Sequence, residues 1–251
     1  MSSVWIVCRF PSVVLEFSGE VRPAAPAATS IVVREASAGL EVLLLRRNDA
    51  LKHMPGIWVF PGGKVEPDDS GPDEMMRACA AACRELEEEA GISMPPGAMT
   101  PFSHWLTPTV VKRRFATWFF LTRVPDTVRV TVDGQEIVDY QWWKPEEAVA
   151  AHHGGALPMT PPTLVSLHDI ETLARTSSLE AAVNDRAPPC FFPKVVREVD
   201  RMVFLYPGDA AYDSGDLDQV GSVHRTIGTA GIFSYVPKAD GAEGNVLAPT
   251  P

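Results

Sequence analysis

Four glutamates crowd into five positions at Glu85, Glu87, Glu88 and Glu89, at the end of the run FPGGKVEPDDSGPDEMMRACAAACRELEEEAG, residues 60–91. On a helix turning about 100° per residue, Glu85, Glu88 and Glu89 share one arc about 100° wide, and Glu87 points elsewhere. Each like-charge pair one turn apart costs a few tenths of a kcal/mol, and most glutamate-rich helices simply solvate such a face. Here the carboxylates converge next to Gly62 and Gly63, a turn able to offer bare backbone carbonyl oxygen. Hard cations such as Mg²⁺ take oxygen ligands, typically a few carboxylates together with substrate phosphates. A bound divalent ion relieves the repulsion, so Mg²⁺, with Mn²⁺ as a substitute, is the expected cofactor. Cys79 and Cys83 lie at i,i+4 without further Cys or His at zinc spacing, which points to core packing. His152 and His153 read as a helix end rather than as ligands.

The elements that must position this cluster follow from local patterns. TSIVVRE and LEVLLLRR read as strands joined through ASAG, and GIWVFPGG as a third strand stopped by Pro61, Gly62 and Gly63. A helix is expected over residues 72–90, with Pro72 at its first position, Asp73 and Glu74 at the positive dipole end and Gly91 as the stop. Its apolar stripe is Cys79, Ala82, Leu86 and Ala90, beside the acidic arc. MTPFSHWLTP, RRFATWFFLTRV, TVRVTV and EIVDYQWW supply further strands, with VDGQ as a turn. KPEEAVAAHH, PPTLVSLHDIETLART and SSLEAAVNDR read as helices. After residue 187 the pattern weakens, with RMVFLYPGD and GIFSYV as strand candidates. The class is α/β.

Composition narrows the partners. A formal charge of −10 disfavours a nucleic-acid polymer, whose backbone demands a basic surface, yet leaves room for a small phosphorylated substrate held by a few cations. No apolar run approaches the length of a membrane span, and four cysteines without a framework suit a reducing compartment. The opening MSSVWIVCRFPSVVLEF lacks a basic leader, and the closing APTP is not a peroxisomal address, so a cytoplasmic location is expected. A homodimer is the default oligomer.

The segment resembles the box of the Nudix hydrolases, G-x5-E-x7-R-E-U-x-E-E-x-G-U with U apolar. Arg84, Glu85, Leu86, Glu88, Glu89, Gly91 and Ile92 match its second half, and Gly63 its start. Seven additional residues separate the halves, and Asp69 is the positional candidate for the isolated glutamate. Similarity to the long-box branch that includes coenzyme A diphosphatases runs over residues 26–145, where Gly56 and the FPGG run fit but Lys52 replaces an arginine.

The resemblance implies an α/β/α sandwich with a mixed sheet and a C-terminal helical and strand extension. It divides the chain into an N-terminal segment and linker (1–25), one Nudix domain with its elaboration (26–238) and a flexible tail (239–251). Glu88 and Glu89 would bind metal, with Glu85, the Gly62 carbonyl and Glu136 completing the set. Arg84 would orient a glutamate, and Glu88 or Glu136 would accept a proton from the attacking water. Arg46, Arg47, Lys64, Lys112, Arg113 and Arg114 are the basic candidates for substrate phosphates. Trp58, Trp105 and Trp118 could stack on a base, against core packing as the simpler role. The implied reaction is Mg²⁺-dependent hydrolysis of a diphosphate bond in a nucleoside diphosphate-linked metabolite, coenzyme A-type compounds leading. Alternatives are ADP-ribose, a dinucleotide or a nucleoside triphosphate, or binding without turnover.

Overall fold

The computed structural model describes residues 7–9, 14–16, 20–176 and 178–238. The tail expected over 239–251 lies outside them. Near the N-terminus, β1 (Val7–Arg9) and β2 (Val14–Glu16) form an antiparallel pair.

The main sheet is mixed. It runs β10 (Cys190–Phe191), β7 (Thr100–Leu106), β8 (Phe115–Arg123), β3 (Ala25–Ala36), β4 (Gly39–Arg47), β5 (Trp58–Val59), while β6 (Gly62–Lys64) also pairs β3 and β9 (Ile137–Trp143) also pairs β4. β3 lies parallel to β8 and antiparallel to β4 and β6. Strand alternation divides the aliphatic residues between two cores. Ala28, Val32, Leu43 and Leu45 face α1 (Glu74–Ala90), against Ala78, Cys79, Ala82, Leu86 and Ala90. Ile31, Val33, Val42 and Leu44 face the other side, with Ala148 and Val149 of α2 (Pro145–His153) and Leu164, Val165 and Ile170 of α3 (Pro161–Ala174). The layers are therefore α/β/α, as the resemblance implies. A short α4 (Leu179–Asn184) leads to β10, then to an antiparallel meander of β11 (Lys194–Arg197), β12 (Arg201–Leu205), β13 (Arg225–Thr229) and β14 (Ile232–Val236). Met202, Phe204, Tyr206 and Phe233 of the meander region join the second core. Among the described residues, no helix is long and apolar enough to cross a membrane.

Three local expectations change. TVRVTV is not a strand: the Thr131 N–H donates to the Ala90 carbonyl at 2.9 Å, so this stretch closes the end of α1, with Val128, Val130 and Val132 leaning on its core. The helix starts later than Pro72, because the Asp73 carboxylate accepts the Met76 N–H at 2.8 Å and makes Asp73 the cap. The glycine pair does not end a strand. After the break at Pro61, Gly62 and Gly63 build β6 against β3, where a Cβ on Gly62 would sit 2.4 Å from the Ala28 carbonyl oxygen.

Candidate active site

β6 and α1 cross where the acidic cluster lies. The Gly62 N–H donates to Glu89 Oε2 at 2.8 Å, and a Cβ on Gly63 would fall 2.2 Å from Glu85 Oε1. Gly63 thus lets the Glu85 carboxylate lie directly against the strand, while Gly62 is needed for the close approach of β6 to β3 at Ala28. Glu89 is buried, and burial pushes its carboxyl up to about 8, with repulsion from Glu85 and Glu136 adding to the rise and the Gly62 N–H opposing it. Glu85 is also pushed up by burial, partly offset by Arg84. Carboxyls displaced upward by burial and by neighbouring carboxylates are a mark of functional sites.

Arg84 organises the remainder. Its Nε and one terminal nitrogen reach the two oxygens of Asp69, both at 3.1 Å. The other terminal nitrogen donates to Glu85 at 2.8 Å and Glu88 at 3.1 Å, and the Lys64 carbonyl accepts from the first at 3.0 Å. These carboxylates, Asp69 foremost, raise the arginine's already high pKa. Asp69 is buried and also takes the Glu66 N–H at 2.7 Å. Burial alone would push its carboxyl up, but Arg84 and the Glu66 N–H hold it below the usual range. Asp69, the positional candidate for the isolated box glutamate, is thus a buried partner of Arg84.

Glu136 follows a turn fixed by Asp133, whose carboxylate accepts the backbone N–H groups of Gln135, Glu136 and Ile137. It reaches back toward the cluster and pairs with Arg47 of β4 at 2.7 Å. Arg46 instead pairs with Asp49 at 2.7 Å. Arg114 donates to the backbone carbonyls of Arg22 and Thr107, which ties the β7–β8 connection to the start of β3. Register places Phe115 beside Ala25 on one flank of β3 and Lys64 beside Ala27 on the other, so Arg113, Arg114 and Lys64 border one end of the sheet. Trp58 and Trp105 are core residues, Trp105 stacked on Phe191 at 4.0 Å, whereas half-buried Trp118 stacks on His104 at 4.5 Å. The sequence reading singled out neither Arg77 nor His152 for a role. Arg77 stands at the standard box spacing from Asp69, a signal masked by the complete match at Arg84.

Among the described residues, no three acidic, histidine or cysteine side chains are already drawn together at metal-ligand spacing. Glu85 and Glu88 are shared by Arg84, and Glu89 is turned to Gly62. The donor set nevertheless fits a hard divalent cation: it is all oxygen, and the five carboxylates of Asp69, Glu85, Glu88, Glu89 and Glu136 outnumber the guanidiniums of Arg47, Arg77 and Arg84.

The class these layers define is an α/β/α sandwich that sets an arginine-centred carboxylate cluster against a Gly-Gly strand. The family profile described as NUDIX domain matches residues 24–161, more than half of the chain, and the chain belongs to the Nudix family of enzymes that hydrolyse diphosphate bonds. It is 27% identical to the putative nudix hydrolase 7 of Caenorhabditis elegans, over 71% of this chain and 72% of that protein. It is 30% identical to the Homo sapiens protein named acyl-coenzyme A diphosphatase NUDT19, over 77% of this chain but 53% of that longer protein. A solved Nudix hydrolase from Alicyclobacillus acidocaldarius superposes with a TM-score of 0.54 at 21% identity, covering 62% of this chain and 98% of its own, which establishes the shared fold.

Proposed function

We propose that the chain hydrolyses the diphosphate bond of a coenzyme A-type compound with Mg²⁺ held by Glu85, Glu88, Glu89 and the Gly62 carbonyl. The observation that carries the site is the Arg84 hub, which gathers Asp69, Glu85 and Glu88 within 3.1 Å while Glu89 is buried on Gly62. Bound there, the ion would supply Lewis-acid stabilisation of the charge that builds on phosphoryl oxygens. The chain's own groups do the remaining work. Glu136, fixed by Arg47, takes the proton of the attacking water, since a general base must be held within reach of its proton. Arg84 holds Glu85 and Glu88 together through one terminal nitrogen. Arg113, Arg114 and Lys64 frame the end of the sheet from which phosphates approach.

The substrate class rests on the human relative, whose similarity covers 77% of this chain and so runs beyond the residues matched by the domain profile. Binding without turnover finds no support, because each glutamate of the R-E-U-x-E-E core is present. Phosphate-product release is to be followed with Mg²⁺ across coenzyme A, an acyl-coenzyme A, ADP-ribose, a dinucleotide and a nucleoside triphosphate. The proposal expects the coenzyme A compounds to give the highest kcat/KM and Glu88→Gln and Glu89→Gln each to lower it by about 100-fold or more. Preference for ADP-ribose would overturn the substrate class, and turnover insensitive to both substitutions would overturn the site.

A further inference from the structure

The two halves of the box lie seven residues further apart than the standard spacing, and α1 begins at Glu74, so Arg77 belongs to its first turn. Seven residues add about two helical turns, and seven steps of about 100° return within about 20° of the starting direction. Extending α1 at its N-terminus by that amount leaves its faces in register. Arg77 and Arg84 are one such heptad apart, so they project from the same face, separated by about 10 Å along the axis. Both arginines reach the same loop. Arg84 takes the Asp69 carboxylate and the Lys64 carbonyl. Arg77 donates through Nε to the Asp69 carbonyl at 3.1 Å and through a terminal nitrogen to the Glu66 carbonyl at 3.3 Å.

Those two carbonyls mark the ends of a closed turn. The Asp69 N–H donates to the Glu66 carbonyl at 3.1 Å, and the Glu66 N–H donates to Asp69 Oδ2 at 2.7 Å. Arg77 therefore clamps the turn from behind while its front presents a carboxylate to Arg84. The chain leaving the turn presses on the helix: a Cβ on Gly71 would lie 2.6 Å from the Arg77 nitrogen and 2.7 Å from the Met76 carbonyl carbon. Arg77 itself is exposed, so its side chain contributes little to the core.

We infer that Arg77 is a positioning residue of this active site: it fixes the 66–69 turn so that Asp69 holds Arg84, and Arg84 in turn sets Glu85 and Glu88 for the divalent ion. The inference rests on the proposed metal site and assigns to the inserted heptad the job of supplying a second arginine. Outer partners of metal ligands typically change affinity by roughly 10- to 100-fold, and Arg77 acts one contact further out, so a loss of about 3- to 10-fold is expected.

The test uses the full chain and Mn²⁺ alone, with binding followed by calorimetry and by the paramagnetic resonance of the free ion. Arg77→Met is expected to weaken Mn²⁺ binding by about 3- to 10-fold, Arg77→Lys to recover part of the loss, and Arg77→Met to add nothing once Asp69→Asn is present. Backbone hydrogen exchange at Glu66 and Asp69 supplies a readout that needs no metal, and in Arg77→Met it is expected to quicken by roughly fivefold or more. Unchanged exchange overturns the clamp. Faster exchange with unaltered Mn²⁺ affinity, or losses that add in the double variant, overturns the relay to the carboxylates. The parent reading fails separately: Mn²⁺ binding that survives Glu88→Gln and Glu89→Gln together places the ion elsewhere, and the role assigned to Arg77 falls with it.

Discussion

Two aspartate–arginine pairs of similar geometry sit in this molecule, and they are built for different ends. In the meander, Arg225 grips Asp209 with two hydrogen bonds of 2.8 and 2.7 Å, and the N–H groups of Ala211 and His224 take the remaining acceptor positions. Asp209 is fully buried, one charge faces one charge, and each carboxylate oxygen receives two donors. In the box, Arg84 grips Asp69 in the same bidentate way, but its spare donors extend to Glu85 and Glu88, and its side chain stays 26% exposed. The first network is closed. The second has more carboxylates than its arginines neutralise, which is the imbalance the proposed divalent ion would offset. A closed buried pair fixes local structure, whereas an open one leaves carboxylates with acceptor capacity to spare.

The largest effects should separate these two roles. Glu89→Gln is expected to lower kcat/KM by about 100-fold or more, since it removes a group proposed to touch the ion rather than its outer partner. Its melting temperature is not expected to fall, because a neutral amide can still accept the Gly62 N–H in a site where burial already pushes the carboxyl up to about 8. Asp209→Ala is the mirror image. Leaving Arg225 buried without its partner is expected to cost about 3–5 kcal/mol in urea unfolding, with kcat unchanged in the folded fraction. A Glu89→Gln enzyme that unfolds early yet turns over normally when folded would reverse the assignment of open and closed.

Asp69→Asn falls between the extremes. It keeps a carbonyl for Arg84 but loses the charge, so half-maximal activation by Mg²⁺ is expected to shift by about 10- to 100-fold. Stability is expected to fall by only about 1–2 kcal/mol, because the pair is partly reached by water. Equal losses in stability at Asp69 and Asp209 would erase the distinction.

The contrast also explains what was legible in the sequence. α1 and the paired strands β3 and β4 could be read because their alternation and caps are local: Val32 and Val33 must face opposite cores, and Gly91 must take the left-handed stop it occupies at φ 66°. The Glu85, Glu88 and Glu89 arc followed from helical spacing alone. TVRVTV was misread because its alternation is real but its backbone serves the end of α1 at Ala90. The meander was only half visible. RTIGT carries few large apolar residues, and its pairing with β12 and β14 depends on partners far along the chain. Arg77 stayed hidden behind the complete match at Arg84, and its two acceptors are backbone carbonyls, which leave no trace in a pattern of side chains.

The smallest effect concerns the seam between the Nudix helices and the meander. His152 is buried at the end of α2, where its Nδ1 donates to the Leu157 carbonyl at 3.0 Å and its Nε2 accepts the Phe233 N–H, also at 3.0 Å. Both contacts require the neutral ring with its proton on Nδ1, since a second proton would oppose the Phe233 N–H. Burial, aided by the neighbouring His153, lowers its pKa below the ordinary value near 6.5. Below about pH 6.5 the unfolded chain then binds the extra proton first, so this group's contribution is complete above that value. It fades as pH falls toward the folded pKa. Asp169 acts in the opposite sense, because burial raises its carboxyl to about 6 and the folded state takes the proton first. The total pH profile therefore mixes signs, and the informative quantity is the difference between the native chain and His152→Gln, whose side-chain oxygen can still accept the Phe233 N–H. Unfolding free energies from urea titrations between pH 7.5 and 5 are expected to converge for the two proteins as pH falls, by an amount approaching about 1.4 kcal/mol for each unit by which the folded pKa is lowered. Parallel free energies over that range would show that the seam holds the charged ring as readily as the neutral one, and the meander would then be docked by its apolar contacts alone.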